Sequence, residues 1–170
     1  MKDKKRIFLF IGPKGSGKSY LGDLMQRHSG IPFLRVEDWA KKVKKDRAFS
    51  DETYLKDVFE TIEQGVRACL ENNGACSFES TGLTAHFDKM MSSLSKDYHV
   101  RTIGVQCPPE VCLQRVKHRD QTMHINVSDE HVEQINRLVR EKDMKTDFSI
   151  ANNNKKENEL LQELRVIAAT

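Results

Sequence analysis

The chain has 170 residues, a formal net charge of +3, 38% hydrophobic residues and 31% charged residues, which is enough for one domain with a packed core and a well-solvated surface. Its apolar runs are strand-sized, which excludes a bilayer-spanning helix, and its mild positive charge does not by itself imply nucleic-acid binding. The basic start MKDKKR is followed by too few apolar residues for a signal peptide, so a cytoplasmic protein folding as a single domain over 1–170 is expected. Cys69, Cys76, Cys107 and Cys112 form no C-x-x-C pair, so reduced thiols are expected and structural zinc is not.

The first strand is predicted at Arg6 to Ile11, and it runs into GPKGSGKS, Gly12 to Ser19. This matches G-x-x-x-x-G-K-[ST], a phosphate-binding P-loop, with a strand before it and an amphipathic helix after it (Lys18 to His28) as the motif requires. Glycine lets the backbone wrap a phosphate chain with its N–H groups turned inward, and the helix N-terminus adds a positive dipole end. Gly12, Pro13, Lys14, Gly15, Ser16 and Gly17 are therefore expected to cradle ATP, Lys18 to reach its β- and γ-phosphates, and Ser19 to ligate Mg²⁺.

A second strand is expected at Pro32 to Val36, ending at Glu37 and Asp38, and a helix at Asp38 to Lys45. A carboxylate at that place can orient an acceptor hydroxyl, take its proton, or help hold Mg²⁺; Asp38 is the preferred one, with helix capping as its plainer use. The Lys-rich stretch Lys41 to Arg47 reads as a solvated helix face. A long helix, Asp51 to Asn72, is closed by Asn73-Gly74. Trp39, Phe49, Tyr54 and Phe59 either line an acceptor pocket or pack the core, and helical spacing favours the core.

A third strand, Ala75 to Glu79, ends in Glu79-Ser80-Thr81-Gly82, where Glu79 is placed as a Walker-B carboxylate for Mg²⁺ is. Thr84 is expected to cap the helix Ala85 to Ser95. After a strand at Tyr98 to Gln106, the Pro108-Pro109 pair opens a helix to Arg119. Arg115 and Arg119 are four apart on one face of it, an arrangement suited to clamping phosphates. The segment of about 115–127 would form a short lid. His118 and His124 are not expected to act in catalysis, since phosphoryl transfer needs little acid–base help. A helix at Ser128 to Lys142, a strand at Phe148 to Ala151 and a helix at Lys156 to Ile167 complete the chain.

Alternating strands and helices imply an α/β fold, a doubly wound five-stranded parallel sheet with helices on both faces. Ligands in such folds bind beyond the C-terminal strand ends, where the candidate residues fall.

With GPKGSGKS, the acidic pair in VEDW, Arg115 and Arg119, and the strand FSIA before Asn152 and Asn153, the chain resembles small P-loop kinases of the shikimate, gluconate and nucleoside monophosphate kinase type. The resemblance implies that the P-loop binds ATP, that Asp38 contacts the acceptor, and that Arg115 and Arg119 clamp phosphates. It also implies that Asn152 and Asn153 lie near the adenine. ESTG stands where shikimate members carry a Gly-rich run. The expected function is ATP- and Mg²⁺-dependent phosphoryl transfer to a hydroxyl or phosphate of a small metabolite or nucleotide. The alternatives are a 5′-hydroxyl polynucleotide kinase or nucleic-acid-associated ATPase, and a GTP-binding switch. The switch reading is weakened because ESTG and NKKE carry Glu where D-x-x-G and N-K-x-D carry Asp. Neither a membrane partner nor a defined oligomeric state is implied.

Overall fold

The computed structural model of the chain describes residues 4–48, 50–119, 124–125 and 127–170. In chain order the elements are β1 (Arg6–Ile11), α1 (Lys18–Ser29), α2 (Val36–Lys44), α3 (Glu52–Asn73), β2 (Ala75–Ser80), α4 (Ala85–Asp97), β3 (His99–Gln106), α5 (Pro109–His118), α6 (Asp129–Lys142), β4 (Phe148–Ala151) and α7 (Glu157–Ala168). The strands form one parallel sheet in the order β2-β1-β3-β4.

That sheet has four strands, not the expected five. The segment Pro32 to Val36 contributes one parallel bridge, Phe33 to Ser77, on the outer edge of β2. Ser77 N–H donates to Pro32 C=O at 2.8 Å and Leu34 N–H to Ser77 C=O at 2.8 Å. Proline has no N–H to extend the ladder backwards. Ahead, the chain coils at once, with Val36 N–H on Leu34 C=O at 3.0 Å and Asp38 N–H on Arg35 C=O at 3.1 Å. The would-be strand is thus one rung long, and α2 starts at Val36, two residues before the expected helix.

β1 is buried on both sides because helices cover both faces of the sheet. Its side chains alternate with the strand period of two. Ile7, Leu9 and Ile11 pack with Val58, Ile62, Val66 and Leu70 of α3 and with Phe87, Met90 and Leu94 of α4. Phe8 and Phe10 pack with Leu21, Leu24 and Met25 of α1 and Leu160, Leu164 and Ile167 of α7. α3 presents Tyr54, Val58, Ile62, Val66 and Leu70 to the core, one row at four-residue spacing. Asp51 caps its start by accepting from Thr53 and Tyr54 N–H, and Gly74, at φ 71°, closes its end.

Tyr54 is in this core, and Trp39 packs against it; Phe49 lies outside the described residues. Gly65 of α3 is what lets the Trp39 ring lie on that helix, because a Cβ at Gly65 would collide with the indole. Thr84 caps α4 through its side chain, as expected, and Ser128 caps α6 in the same way. Among the described residues no helix is long and apolar enough to cross a membrane.

Candidate active site

The loop from Gly12 to Gly17 leaves the C-terminal end of β1, and α1 starts at Lys18. Gly15 and Gly17 sit at φ 83° and φ 93°, conformations strained for any residue with a Cβ. Space is closed as well: a Cβ at Gly15 would strike Cys112 C=O and one at Gly17 would strike the Asn152 amide. The first N–H groups of α1 have no partner inside the helix and form an anion-binding end.

Lys18 is buried, with 8% of its surface exposed, and Nζ donates to Gly12 C=O at 2.9 Å and Pro13 C=O at 2.8 Å. Burial pushes its pKa down, and Glu79 partly opposes that. Lys14 is lowered in the same way, chiefly by burial, with Glu37 opposing and Arg119 reinforcing. Ser19 Oγ donates to Glu79 Oε2 at 2.7 Å. A hydroxyl and a carboxylate in contact beside a phosphate loop are the hard oxygen donors Mg²⁺ takes together with phosphate oxygens. No cluster of three or more His, Cys, Asp or Glu that could cage a metal unaided occurs among the described residues.

Three side chains brace the loop from outside. Asn136 of α6 is 3% exposed; its Oδ1 accepts from Lys14 N–H at 2.7 Å and its Nδ2 donates to Lys14 C=O at 2.9 Å. Asn152, just past β4, donates through Nδ2 to Ser16 C=O at 2.9 Å. Arg115 Nη1 lies 3.4 Å from both Gly15 C=O and Ser16 C=O and 3.3 Å from Cys107 Sγ.

A cavity of ≈ 420 Å³ opens beside the loop. Lys14, Lys18, Ser19, Glu79, Arg115 and Arg119 line it, as do Glu37 and His124. Glu37 is held in place there: Oε2 accepts from Ile125 N–H at 3.3 Å and lies 3.2 Å from His124 Nδ1. Tyr20, Ser80 and Thr81 also face it, and an apolar part of the wall comes from Ala40, Phe59, Ile62, Phe78 and Met90.

Most of the expected residues meet at this cavity, but Asp38 is not among those lining it. Because α2 begins at Val36, successive residues turn by about 100° and a neighbouring pair cannot face the same way. Glu37 is turned to the cavity, while Asp38 is half-exposed with its carboxylate 3.6 Å from Arg35 Nε. Asn152 binds the loop's own backbone, and Asn153 is exposed. Of the expected lid, residues 115–118 are the last turn of α5, and 120–123 and 126 lie outside the described residues. His118 is exposed. Glu157 of the NKKE segment accepts from Tyr20 Oη at 3.0 Å.

Sequence reasoning passed over Asn136 and gave His124 no role. Asn136 had a signal: it stands four residues after Val132, in the one row of α6 that is buried. His124 had none, because its contact with Glu37 spans 87 positions.

The family model described as AAA domain matches residues 7–141. That span runs from β1 to the end of α6 and includes the loop, Glu37, Glu79, both arginines and Asn136. No curated protein matches the sequence. Among solved structures, shikimate kinase from Bacteroides thetaiotaomicron superposes with a TM-score of 0.67 at 16% identity, covering 97% of this chain and 98% of that one. The APS kinase CysC of Mycobacterium tuberculosis, in complex with AMPPNP and APS, gives 0.65 at 14% identity and 99% of each chain. A chain of an RNA repair complex gives 0.69 at 16% identity, covering 92% of this chain and 51% of that one. At such identities the likeness is one of fold, and that fold is the one small P-loop kinases use.

Proposed function

Because the chain belongs to the AAA domain family and has the fold of small P-loop kinases, we propose that it is a cytoplasmic, single-domain kinase. It would transfer the γ-phosphoryl group of ATP, with Mg²⁺, to a hydroxyl or phosphate oxygen of a small metabolite or nucleotide. The observation that carries this is one cavity whose walls hold the phosphate loop, the Ser19–Glu79 pair and a separate, anchored carboxylate, Glu37. A nucleotide-binding module without an acceptor has no use for that last group.

In this reading the loop and the start of α1 bind the phosphates. Lys14, Lys18, Arg115 and Arg119 offset charge on the transferring group, the larger part of catalysis in such reactions. Ser19 and Glu79 would hold Mg²⁺, which supplies charge neutralisation to the phosphates. Glu37 takes the acceptor-side place expected of Asp38: it orients the acceptor hydroxyl and receives its proton. The acceptor oxygen bonds the γ-phosphorus, and the bond to the bridging oxygen breaks with its electron pair leaving on ADP. The lid expected at about 115–127 would dry the site, and His124 and Ile125, which hold Glu37, are described members of it.

The test is ADP release from Mg-ATP across sugars, polyols, nucleosides, nucleotides and 5′-hydroxyl oligonucleotides. Acceptor-dependent release, lowered at least about a hundredfold in Lys18→Ala, is the expected result. Glu37→Gln should cut transfer far more than ATP affinity, and Asp38→Asn should do little. ATP binding with no acceptor-dependent release would reject the kinase reading, and turnover of oligonucleotides alone would replace the acceptor class.

A further inference from the structure

The cavity is divided by chemistry. Its polar groups belong to the phosphate loop and the start of α1, to Arg115 and Arg119, to Glu37 and His124, and to the Glu79–Thr81 turn; the remainder is an apolar wall. Four elements build that wall: Ala40 from α2, Phe59 and Ile62 from α3, Phe78 from β2 and Met90 from α4. The two α3 residues are three apart and share a face. Phe59 stacks on His86, with ring centroids 6.2 Å apart and an interplanar angle of 18°. Phe59 and Met90 also line a second cavity of ≈ 190 Å³ on the His86 side, so the two side chains stand between the two spaces.

A polyol carries hydroxyls along its length. Against this wall they would leave water without finding partners, which opposes binding. A planar heteroaromatic ring keeps its polar atoms at its edge, where Ser80 and Thr81 of the same cavity can meet them, while its faces gain area contact with Phe59, Ile62 and Met90, and sulfur and aromatic edges are favourable neighbours for it. A molecule with such a ring at one end and a hydroxyl at the other matches both halves of the site, with its hydroxyl at Glu37.

We propose that the acceptor is a nucleoside-type molecule, a hydroxylated sugar bearing a planar base, whose base lies on the Phe59, Ile62 and Met90 wall and whose hydroxyl reaches Glu37. This rests on the kinase reading and narrows it. It makes Phe59 a specificity-determining residue, since among the described residues it is the aromatic ring of the apolar wall that also stacks on a neighbour outside the cavity.

The experiment measures ADP release by the full-length protein with Mg-ATP and two acceptor sets. One set holds ribo- and deoxynucleosides with their monophosphates; the other holds gluconate, shikimate and glycerol. The expected result is turnover confined to the first set. Phe59→Ala should raise KM for the best nucleoside about tenfold or more, with KM for ATP moving far less. Phe59→Leu, which keeps the apolar bulk and loses the flat face, should fall between the two and guards against misfolding. Turnover of the polyol set alone, or Phe59 variants with an unchanged acceptor KM, overturns the proposal while leaving a kinase. Lys18-dependent ATP hydrolysis that no acceptor stimulates overturns the kinase reading and the proposal together.

Discussion

Lys18 and Lys14 both carry ammonium groups that burial holds below the usual lysine value of 10.5. Phosphate binding needs them charged. The charge is lost as pH rises through the lowered pKa, so kcat/KM for ATP should fall on an alkaline limb that begins below 10.5. Bound phosphates favour the ammonium form and should move the limb in kcat to higher pH. Stability runs the other way. Between the folded and unfolded pKa the unfolded chain holds more protons, so these lysines add stability as pH rises through that window. Parallel pH profiles of kcat/KM and Tm should therefore diverge, and a limb at or above the ordinary lysine value would count against the assignment.

Asn136 allows a sharper test at the same scale. In Asn136→Asp the carboxylate can still accept from Lys14 N–H but confronts Lys14 C=O with no donor. A buried group left unpaired costs about 1–3 kcal/mol, so KM for ATP should rise about tenfold or more and recover at acid pH, where a protonated carboxyl again donates. Asn136→Leu should show the loss without the recovery. This residue was hard to read because its partner lies 122 positions away. The P-loop residues were legible because their chemistry is contiguous. Asn152, expected near the adenine, donates its amide to the loop backbone.

At the scale of elements, the sequence pattern located the helices of the described residues because apolar rows, N-caps and Gly or Pro stops agreed with one another. It failed between Pro32 and Val36, where apolar β-like residues suggested a strand. A strand needs a ladder, and only one rung forms before the backbone turns helical. That early start also decided which of the two adjacent carboxylates faces the cavity, a question periodicity can answer only once the first helical residue is known. Packing of α2 on α3 makes another prediction. In an exposed helix Gly→Ala is favourable by about 1 kcal/mol. Gly65→Ala should instead destabilise by about 1–3 kcal/mol, because its methyl group displaces the Trp39 ring; urea unfolding would show the sign.

For the molecule as a whole, helices on both faces of a parallel sheet bury Ile7 to Ile11 of β1 and bring its C-terminal end to the loop. The parallel α/β layering, though not its strand number, and the candidate phosphate loop followed from that arrangement and from one motif. The apolar wall opposite did not, since it is assembled from four elements and each residue alone reads as ordinary core. If the site works as proposed, Mg-ATP at about a hundred times its Kd should add about 2.7 kcal/mol of stability. The resulting rise in Tm should vanish in Lys18→Ala.

Trp39 is the chain's single tryptophan, and it follows Glu37 by two positions on α2 while its ring rests on α3. The protein therefore carries its own optical gauge. Emission comes from one fluorophore at the seam between the helix that bears Glu37 and the helix that bears Phe59. Acceptor added with a non-hydrolysable ATP analogue should shift or quench that emission, and the analogue alone, seated at the far end of the cavity, should leave it nearly unchanged. Titrating the signal would yield the acceptor Kd without any label.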